Sequence, residues 1–264
     1  MNFSLPALAI LINLYYNKAV RERRLLPLKD ICIFKRVEKK YLLPVEKKEE
    51  LLSVIGEHLI PDAHGKSTIC SLYLDTPDFL LIRNSIDATT YKEKLRIRSY
   101  GVPREDGQVF FEIKKKYKGV VYKRRISTTL SKAEAYLQSG VPSEDSQIMR
   151  EIHYAMEFYR RPVPRVLIAC EREAYFDVKH PNLRITFDSA VRYRNYGLSS
   201  SEGLTDSLGS SGKQILPDHL SLMEIKTDGA MPIWLAEALG NCKIYPGKFS
   251  KYATAYRDIM QQGV

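Results

Sequence analysis

The sequence has little that would support a zinc site or a disulfide framework. Its cysteines stand singly and far apart in mainly apolar surroundings, and its histidines show none of the spacings that metal-ligating histidines adopt. The cysteines are Cys32, Cys70, Cys170 and Cys242, and the histidines are His58, His64, His153, His180 and His219. We therefore expect reduced cysteines in a cytoplasmic protein.

Long apolar runs are scarce as well. The stretch from Phe3 to Tyr16 is apolar, but it is too short to span a bilayer and it contains Pro6. No internal repeat is evident. We predict an N-terminal extension over residues 1–33 and one sizeable domain over residues 34–262, with a flexible Ser/Gly-rich loop at about 198–219.

Acidic residues are the minority, and the positive excess is concentrated in one region. The chain holds 41 Lys and Arg against 31 Asp and Glu, a formal net charge of +10. Residues 92–125 alone contain twelve Lys or Arg and four Asp or Glu. Such a charge distribution favours polyanionic partners, namely nucleic acid, anionic membrane or phosphate chains.

What the sequence has instead is a set of strand-like segments with a charged residue at every second position. Side chains two apart in a strand point the same way, so apolar residues such as Leu95 and Ile97 lie opposite a charged row. The rows are Lys92, Lys94, Arg96 and Arg98; Glu112, Lys114 and Lys116; Arg36, Glu38 and Lys40; Lys123 and Arg125; Arg184 and Asp188; and Glu224 with Lys226. Neighbouring cations in a row lie roughly 6.6 Å apart and repel by about 2–3 kcal/mol at an effective dielectric of about 20. An anionic ligand would offset that repulsion.

These segments predict an α+β fold. Strands are predicted near 32–43, 68–75, 92–100, 108–117, 119–128, 165–177, 182–191 and 221–227, and helices at 46–60, 131–139, 144–160, 232–240 and 250–262. The mostly sequential strands predict a closed antiparallel β-barrel of about eight strands with flanking α-helices. If the charged faces point inward, the barrel is a tunnel lined by Arg and Lys, which suits phosphate oxygens.

A few carboxylates lie among the many cations of this tunnel. Mg²⁺ and Mn²⁺ prefer oxygen ligands and often rely on substrate phosphates, so a divalent cation is expected. Glu224 is our first choice of ligand, although an ion pair with neighbouring cations is a comparable role for it. For Glu38 the ion pair is the favoured interpretation.

Seven short motifs, in order, resemble the VTC domain. They are Arg36-Val37-Glu38-Lys39-Lys40-Tyr41, Tyr73-Leu74-Asp75-Thr76, Lys94 to Gly101, Glu112-Ile113-Lys114, Arg184 to Asp188, Glu224-Ile225-Lys226 and Lys248-Phe249-Ser250-Lys251-Tyr252. This domain is the polyphosphate polymerase module of the vacuolar transporter chaperone complex, within the CYTH-like triphosphate tunnel metalloenzyme superfamily. The resemblance covers about residues 34–260.

The resemblance implies a transferase that moves the γ-phosphoryl group of ATP onto a growing inorganic polyphosphate chain and releases ADP, with Mn²⁺ or Mg²⁺. It implies catalytic phosphate contacts from Lys40, Arg96, Arg98, Lys114, Arg172, Arg184 and Lys226, further phosphate binding by Lys248, Ser250 and Lys251, and metal binding by Glu224. Lys123 and Arg125 are expected to join the phosphate-binding set. The resemblance also suggests a membrane-protein partner and a location at the inner face of the membrane.

Two alternatives remain open at this point. A triphosphatase of the same fold typically opens with Glu-x-Glu-x-Lys, whereas here Arg36 takes the first acidic place and leaves Glu38 before Lys40. A non-catalytic binder of polyphosphate or RNA would instead expose its basic, aromatic-studded segments on an outer surface. No nucleic-acid partner is expected, and Ser250 has a second interpretation as the N-cap of the last helix.

Overall fold

The computed structural model describes residues 37–262 except residues 64, 89, 119, 181 and 197–211. The predicted N-terminal extension, Cys32 and Arg36 lie outside the described residues. So does most of the predicted loop at 198–219, whereas Lys213 and Gln214 of that segment form a short strand. The described cysteines, Cys70, Cys170 and Cys242, are buried free thiols.

The described chain forms ten strands and six α-helices, so the predicted α+β class is confirmed. The strands are β1 Val37–Pro44, β2 Leu59–Pro61, β3 Ser67–Asp75, β4 Tyr91–Tyr100, β5 Gln108–Tyr117, β6 Val120–Thr129, β7 Val163–Asp177, β8 Arg184–Asn195, β9 Lys213–Gln214 and β10 Leu220–Thr227. The helices are α1 Val45–Ile55, α2 Leu80–Asp87, α3 Leu130–Ser139, α4 Gln147–Phe158, α5 Ile233–Asn241 and α6 Lys251–Gln261. Helix α2 is not among the predicted helices.

All ten strands belong to one antiparallel sheet, and its pairing path is open. The order is β1-β10-β8-β7-β3-β4-β5-β6, with β2 on β7 and β9 on β8. The predicted closed barrel is therefore wrong in this detail, because within the described residues β1 and β6 do not pair. The outer edge of β1 is met instead by the segment before α6, where the Gly247 backbone N–H donates to the Lys40 carbonyl at 2.7 Å.

The sheet nevertheless curls so that its charged faces meet. Five strands separate β1 from β5 in the pairing order, yet Glu38 of β1 lies 3.6 Å from the Lys114 ammonium of β5. That contact requires the two ends of the sheet to approach each other on the charged side. We call the space enclosed by this concave face the charged interior.

The apolar faces of the strands point outward and are covered by helices. On one side, Leu95 and Ile113 pack with Ile152 of α4 in a single cluster. On the other side, Ile225 and Leu51 of α1 share a cluster with helix α5. Alternation along each strand thus places apolar residues under the helices and charged residues inside.

Helix α6 differs from the others because it packs against the charged interior. The ring of its Tyr252 stacks on Tyr73 of β3 with a centroid distance of 4.3 Å, and its Lys251 forms an ion pair with Asp188 of β8. Helix α6 thereby brings Lys251 into the charged interior. Helix α5 stays on the outer face.

Candidate functional site

One buried carboxylate holds a pair of cations from the strands on either side of it. Glu112 of β5 is 1 % exposed, and its oxygens lie 2.6 Å from Arg96 Nε and 2.8 Å from Lys123 Nζ. Burial alone would raise the pKa of Glu112, but the charges of Arg96 and Lys123 outweigh it and hold that pKa at about 2. Glu112 therefore stays ionised and orients two of the predicted phosphate-binding residues.

A second buried carboxylate does the same on the opposite wall. Asp188 of β8 is fully buried and accepts two hydrogen bonds from Arg172, at 2.6 and 2.7 Å, and it also pairs with Lys251 of α6. Burial would raise the pKa of Asp188, but Lys251 and Arg172 outweigh it and lower it. The bidentate geometry fixes the guanidinium plane of Arg172. The two ion pairs of Asp188 thereby connect β8 to β7 and to α6.

Glu224 lies at the centre of a third group. Its carboxylate oxygens are 3.2 Å from Lys40 Nζ and 3.1 Å from Lys226 Nζ, and Glu38 is 3.7 Å from the same Lys40 ammonium. Burial opposes ionisation of Glu224, but Lys226 and Lys40 hold its pKa well below the ordinary value. In the described part of the chain, no three His, Cys, Asp or Glu side chains come together as a metal site. Glu38 contacts both Lys40 and Lys114, as the ion-pair interpretation expects.

Two cations of β4 differ from those described so far. Arg98 Nε donates to Ser71 Oγ at 3.2 Å, and Lys94 Nζ donates to Ser250 Oγ at 3.4 Å. Among the described residues neither has a carboxylate within ion-pair distance. Together with Arg96 between them, they form one row along the wall of the charged interior.

Tyr73 is a site residue that the sequence interpretation did not assign. Arg96 Nη1 donates to its hydroxyl at 3.4 Å. Burial raises the pKa of Tyr73, but Arg96, Lys94 and Arg98 outweigh it and lower that pKa to about 8. Tyr73 lies two residues before Asp75, on the β3 face that adjoins the β4 cations. This spacing is the sequence signal that could have identified it.

The remaining predicted residues lie nearer the periphery. Arg184 faces Lys226 across the ladder, but its guanidinium contacts Asp62 at 3.2 Å. Arg125 is exposed and lies 4.4 Å from the ring centre of Phe110. Lys248 is exposed too, and no ion pair involves it among the described residues. The structure thus gathers Lys40, Arg96, Arg98, Lys114, Lys123, Arg172, Glu224, Lys226 and Lys251 in one interior, and leaves these three residues outside its centre.

Ser250 is the N-cap of α6. Its hydroxyl oxygen accepts a hydrogen bond from the Ala253 backbone N–H at 3.3 Å, which is the contact that the capping interpretation requires. The backbone carbonyl of the preceding Phe249 accepts from Lys40 Nζ at 3.1 Å. The two residues before α6 therefore contact lysines from both β1 and β4.

Comparison with known proteins identifies the family. The model of the VTC domain matches residues 35–260. The chain therefore belongs to the VTC domain family, and the resemblance drawn from the motifs is confirmed. Searches of curated protein sequences gave no match.

One solved structure shares the fold, and a second has a lower TM-score. A Bacillus halodurans protein, provisionally described as an adenylate cyclase, is 15 % identical with a TM-score of 0.50, and the match covers 83 % of this chain and 96 % of that one. A Vibrio parahaemolyticus protein with the same description is 14 % identical with a TM-score of 0.43, covering 85 % and 98 %. At this identity, the likeness to the Bacillus halodurans protein shows a common fold alone. In the part of the chain that the structure describes, no helix has both the length and the apolar character needed to cross a membrane.

Proposed function

We propose that this protein is a polyphosphate polymerase that transfers the γ-phosphoryl group of ATP onto a growing polyphosphate chain. The observation that carries the proposal is the row of Lys94, Arg96 and Arg98, which faces the charged interior. Two of these three cations have no carboxylate partner among the described residues, so a polyanion is the ligand that their charge calls for. Membership of the VTC domain family supports the same substrate class.

The chemistry needs positioning and charge stabilisation more than it needs a base. An ionised terminal oxygen of the polyphosphate chain attacks the γ-phosphorus of ATP, and the bond from that phosphorus to the bridging oxygen breaks as ADP leaves. No proton has to be removed from an ionised acceptor. Arg96 and Arg172, each held by a buried carboxylate, are oriented before substrate arrives and so can stabilise charge at little reorganisation cost.

A divalent cation, Mn²⁺ or Mg²⁺, belongs to this proposal. Glu224 and Glu38 approach the same Lys40 ammonium, so two carboxylates converge on one region of the charged interior. Such ions are commonly held by one or two carboxylates together with substrate phosphates, and this donor set fits that mode. Glu224 would be the main ligand, and the bound ion would neutralise phosphate charge.

An outward nucleic-acid surface is less compatible with these contacts. The Arg96 side chain is only 17 % exposed, and Lys114, at 40 %, faces Glu38 across the interior. A metal-dependent triphosphatase shares the same interior, and the product distinguishes it. A membrane-protein partner and a cytoplasmic, membrane-peripheral location stay predictions.

The test is to incubate the purified protein with ATP and Mn²⁺, with and without a short polyphosphate primer, and to resolve polymer and nucleotide products. We expect long polyphosphate with ADP, lost in Arg96→Ala and Glu224→Ala. Lys39→Met is the charge control, because Lys39 is exposed on the opposite face of β1. Free phosphate without polymer would replace the proposal with the triphosphatase, and tight polyphosphate binding without turnover would replace it with a binding module.

A further inference from the structure

Three lysines lie directly opposite one another across three neighbouring strands. Lys94 of β4 faces Lys114 of β5, and Lys114 faces Lys123 of β6. Like charges directly opposite each other in a sheet are destabilising. The ligand-free protein therefore holds a line of repelling ammonium groups across one wall of the charged interior.

Carboxylates offset the repulsion at two of these lysines but not at Lys94. Lys123 is paired with Glu112 at 2.8 Å, and Lys114 lies 3.6 Å from Glu38. Lys94 has no carboxylate within ion-pair distance among the described residues, and the polar contact it makes is a long one to the Ser250 hydroxyl, at 3.4 Å. A half-buried ammonium with so little compensation lowers the stability of the ligand-free fold.

Its position is central in the charged interior. Lys94 contacts Ser250 while Lys40 contacts the neighbouring Phe249 carbonyl, so lysines from β4 and β1 converge on the N-terminal end of α6. The positive end of the helix dipole lies at this turn and favours the same sign of ligand charge. An anion placed here would contact cations from two walls at once.

We propose that Lys94 is a further phosphate-binding residue, which together with Lys114 binds a phosphate group of the polyphosphate or nucleoside triphosphate substrate beside the first turn of α6. The inference rests on the proposed function and deepens it. Lys94 lowers the stability of the ligand-free protein, and bound phosphate offsets this loss through charge-assisted hydrogen bonds.

Protonation of Lys94 gives a second readout. Burial lowers its pKa to about 8; Lys114, Lys40 and Arg96 contribute in the same direction, and Tyr73 opposes them. The groups that face it are thus Tyr73 from β3, Lys114 from β5, Lys40 from β1 and the Ser250 hydroxyl before α6. A bound phosphate stabilises the charged ammonium, so binding above pH 8 should be accompanied by proton uptake.

The experiment measures tripolyphosphate binding by calorimetry for the wild type, Lys94→Met, Lys94→Arg and Lys39→Met, together with the melting temperature of each ligand-free protein. Methionine keeps the apolar stem of the side chain and removes the charge. We expect Lys94→Met to weaken binding about 10- to 100-fold, the usual range for a hydrogen bond to a charged group, while its ligand-free melting temperature equals or exceeds that of the wild type. Lys94→Arg should retain more of the affinity, and Lys39→Met should bind within about threefold of the wild type.

Several results would overturn the inference. One is that Lys94→Met binds tripolyphosphate as tightly as Lys39→Met, and another is that its ligand-free melting temperature falls, which would indicate a structural role. Calorimetry above pH 8 in buffers of different ionisation enthalpy should show proton uptake for the wild type and less for Lys94→Met; equal uptake would also count against it. Failure of the proposed substrate class looks different: the wild type would not bind tripolyphosphate, or Arg96→Ala would bind it equally well, and the Lys94 inference would fail with it. Failure of the polymerase activity alone is seen in the product assay with ATP and Mn²⁺, and it leaves the binding test of Lys94 intact.

Discussion

Replacing Glu112 by Gln tests whether a buried carboxylate organises the site. The pKa of Glu112 falls from the ordinary 4.5 to about 2, because Arg96 and Lys123 outweigh the effect of burial. Each pKa unit corresponds to about 1.4 kcal/mol, so the ionised carboxylate contributes about 3 kcal/mol to the free energy of unfolding at neutral pH. We expect Glu112→Gln to lose about that much, since it leaves two cations without their counter-charge.

The assay is urea unfolding at pH 7, followed by circular dichroism and repeated with tripolyphosphate. The polyanion should restore part of the lost stability, because it supplies negative charge to Arg96 and Lys123. The same chemical change at Glu49, which is exposed on α1, should shift the free energy of unfolding by less than about 0.5 kcal/mol.

The pH dependence follows from the direction of the pKa change. A carboxylate whose pKa is lowered on folding stabilises the protein above its unfolded pKa, and the contribution is lost as pH falls from about 4.5 towards 2. The wild type should therefore lose more stability over that window than Glu112→Gln does. A loss below about 1 kcal/mol for Glu112→Gln at pH 7, or parallel pH profiles for the two proteins, would refute the reasoning.

Three further variants examine the other supports of the site. Asp188→Asn should lower the free energy of unfolding by about 3 kcal/mol or more, because two buried cations lose their shared partner; urea unfolding checks this, and wild-type stability would contradict it. Ser250→Ala should cost about 1 kcal/mol through loss of the N-cap, with kcat within about threefold of the wild type, so a large loss of turnover at full stability would favour a direct phosphate contact. Tyr252→Phe removes a hydroxyl that donates to buried Asp75 at 2.7 Å, and it should cost about 1–3 kcal/mol while tripolyphosphate affinity in calorimetry stays unchanged.

Much of the sheet could be predicted from alternation alone. Strand β5 was predicted at 108–117 and is found there, because charged and apolar residues alternate without interruption from Phe111 to Lys114. Alternation separates the charged face from the apolar face, but the inward direction of the charged face is set by the helices that cover the apolar side. Strands β2 and β9 are too short, at three and two residues, to show a period.

Helix α2 could not be identified from the sequence, because the groups that stabilise its start belong to the preceding strand and turn. The Leu81 and Ile82 backbone N–H groups donate to the carboxylate of Asp75, and the Leu80 N–H donates to Thr76 Oγ, so the capping groups stand four to seven residues before the N–H groups they satisfy. Phe79, immediately before the helix, has a φ of 61°. Local start signals are normally sought one residue before the helix.

The partners within the site depend on tertiary structure. Asp188 meets Lys251 across 63 residues of sequence, and its role as an anchor for Arg172 requires the β7–β8 register. The closure error has the same origin: strand periodicity does not reveal that Gly247 takes the edge of β1. Such contacts arise from the curl of the whole sheet.

The open pairing path determines how easily the enclosed space can widen. In the described structure, moving β1 away from β5 breaks the ion pair between Glu38 and Lys114 but leaves every ladder intact. Because this ion pair is partly solvated, it contributes about 1 kcal/mol or less. A closed barrel would have to give up a row of backbone hydrogen bonds to do the same. Among the described residues, the seam between β1 and β6 is therefore held by side-chain contacts and by the Gly247 bridge to the edge of β1, and not by a row of ladder hydrogen bonds.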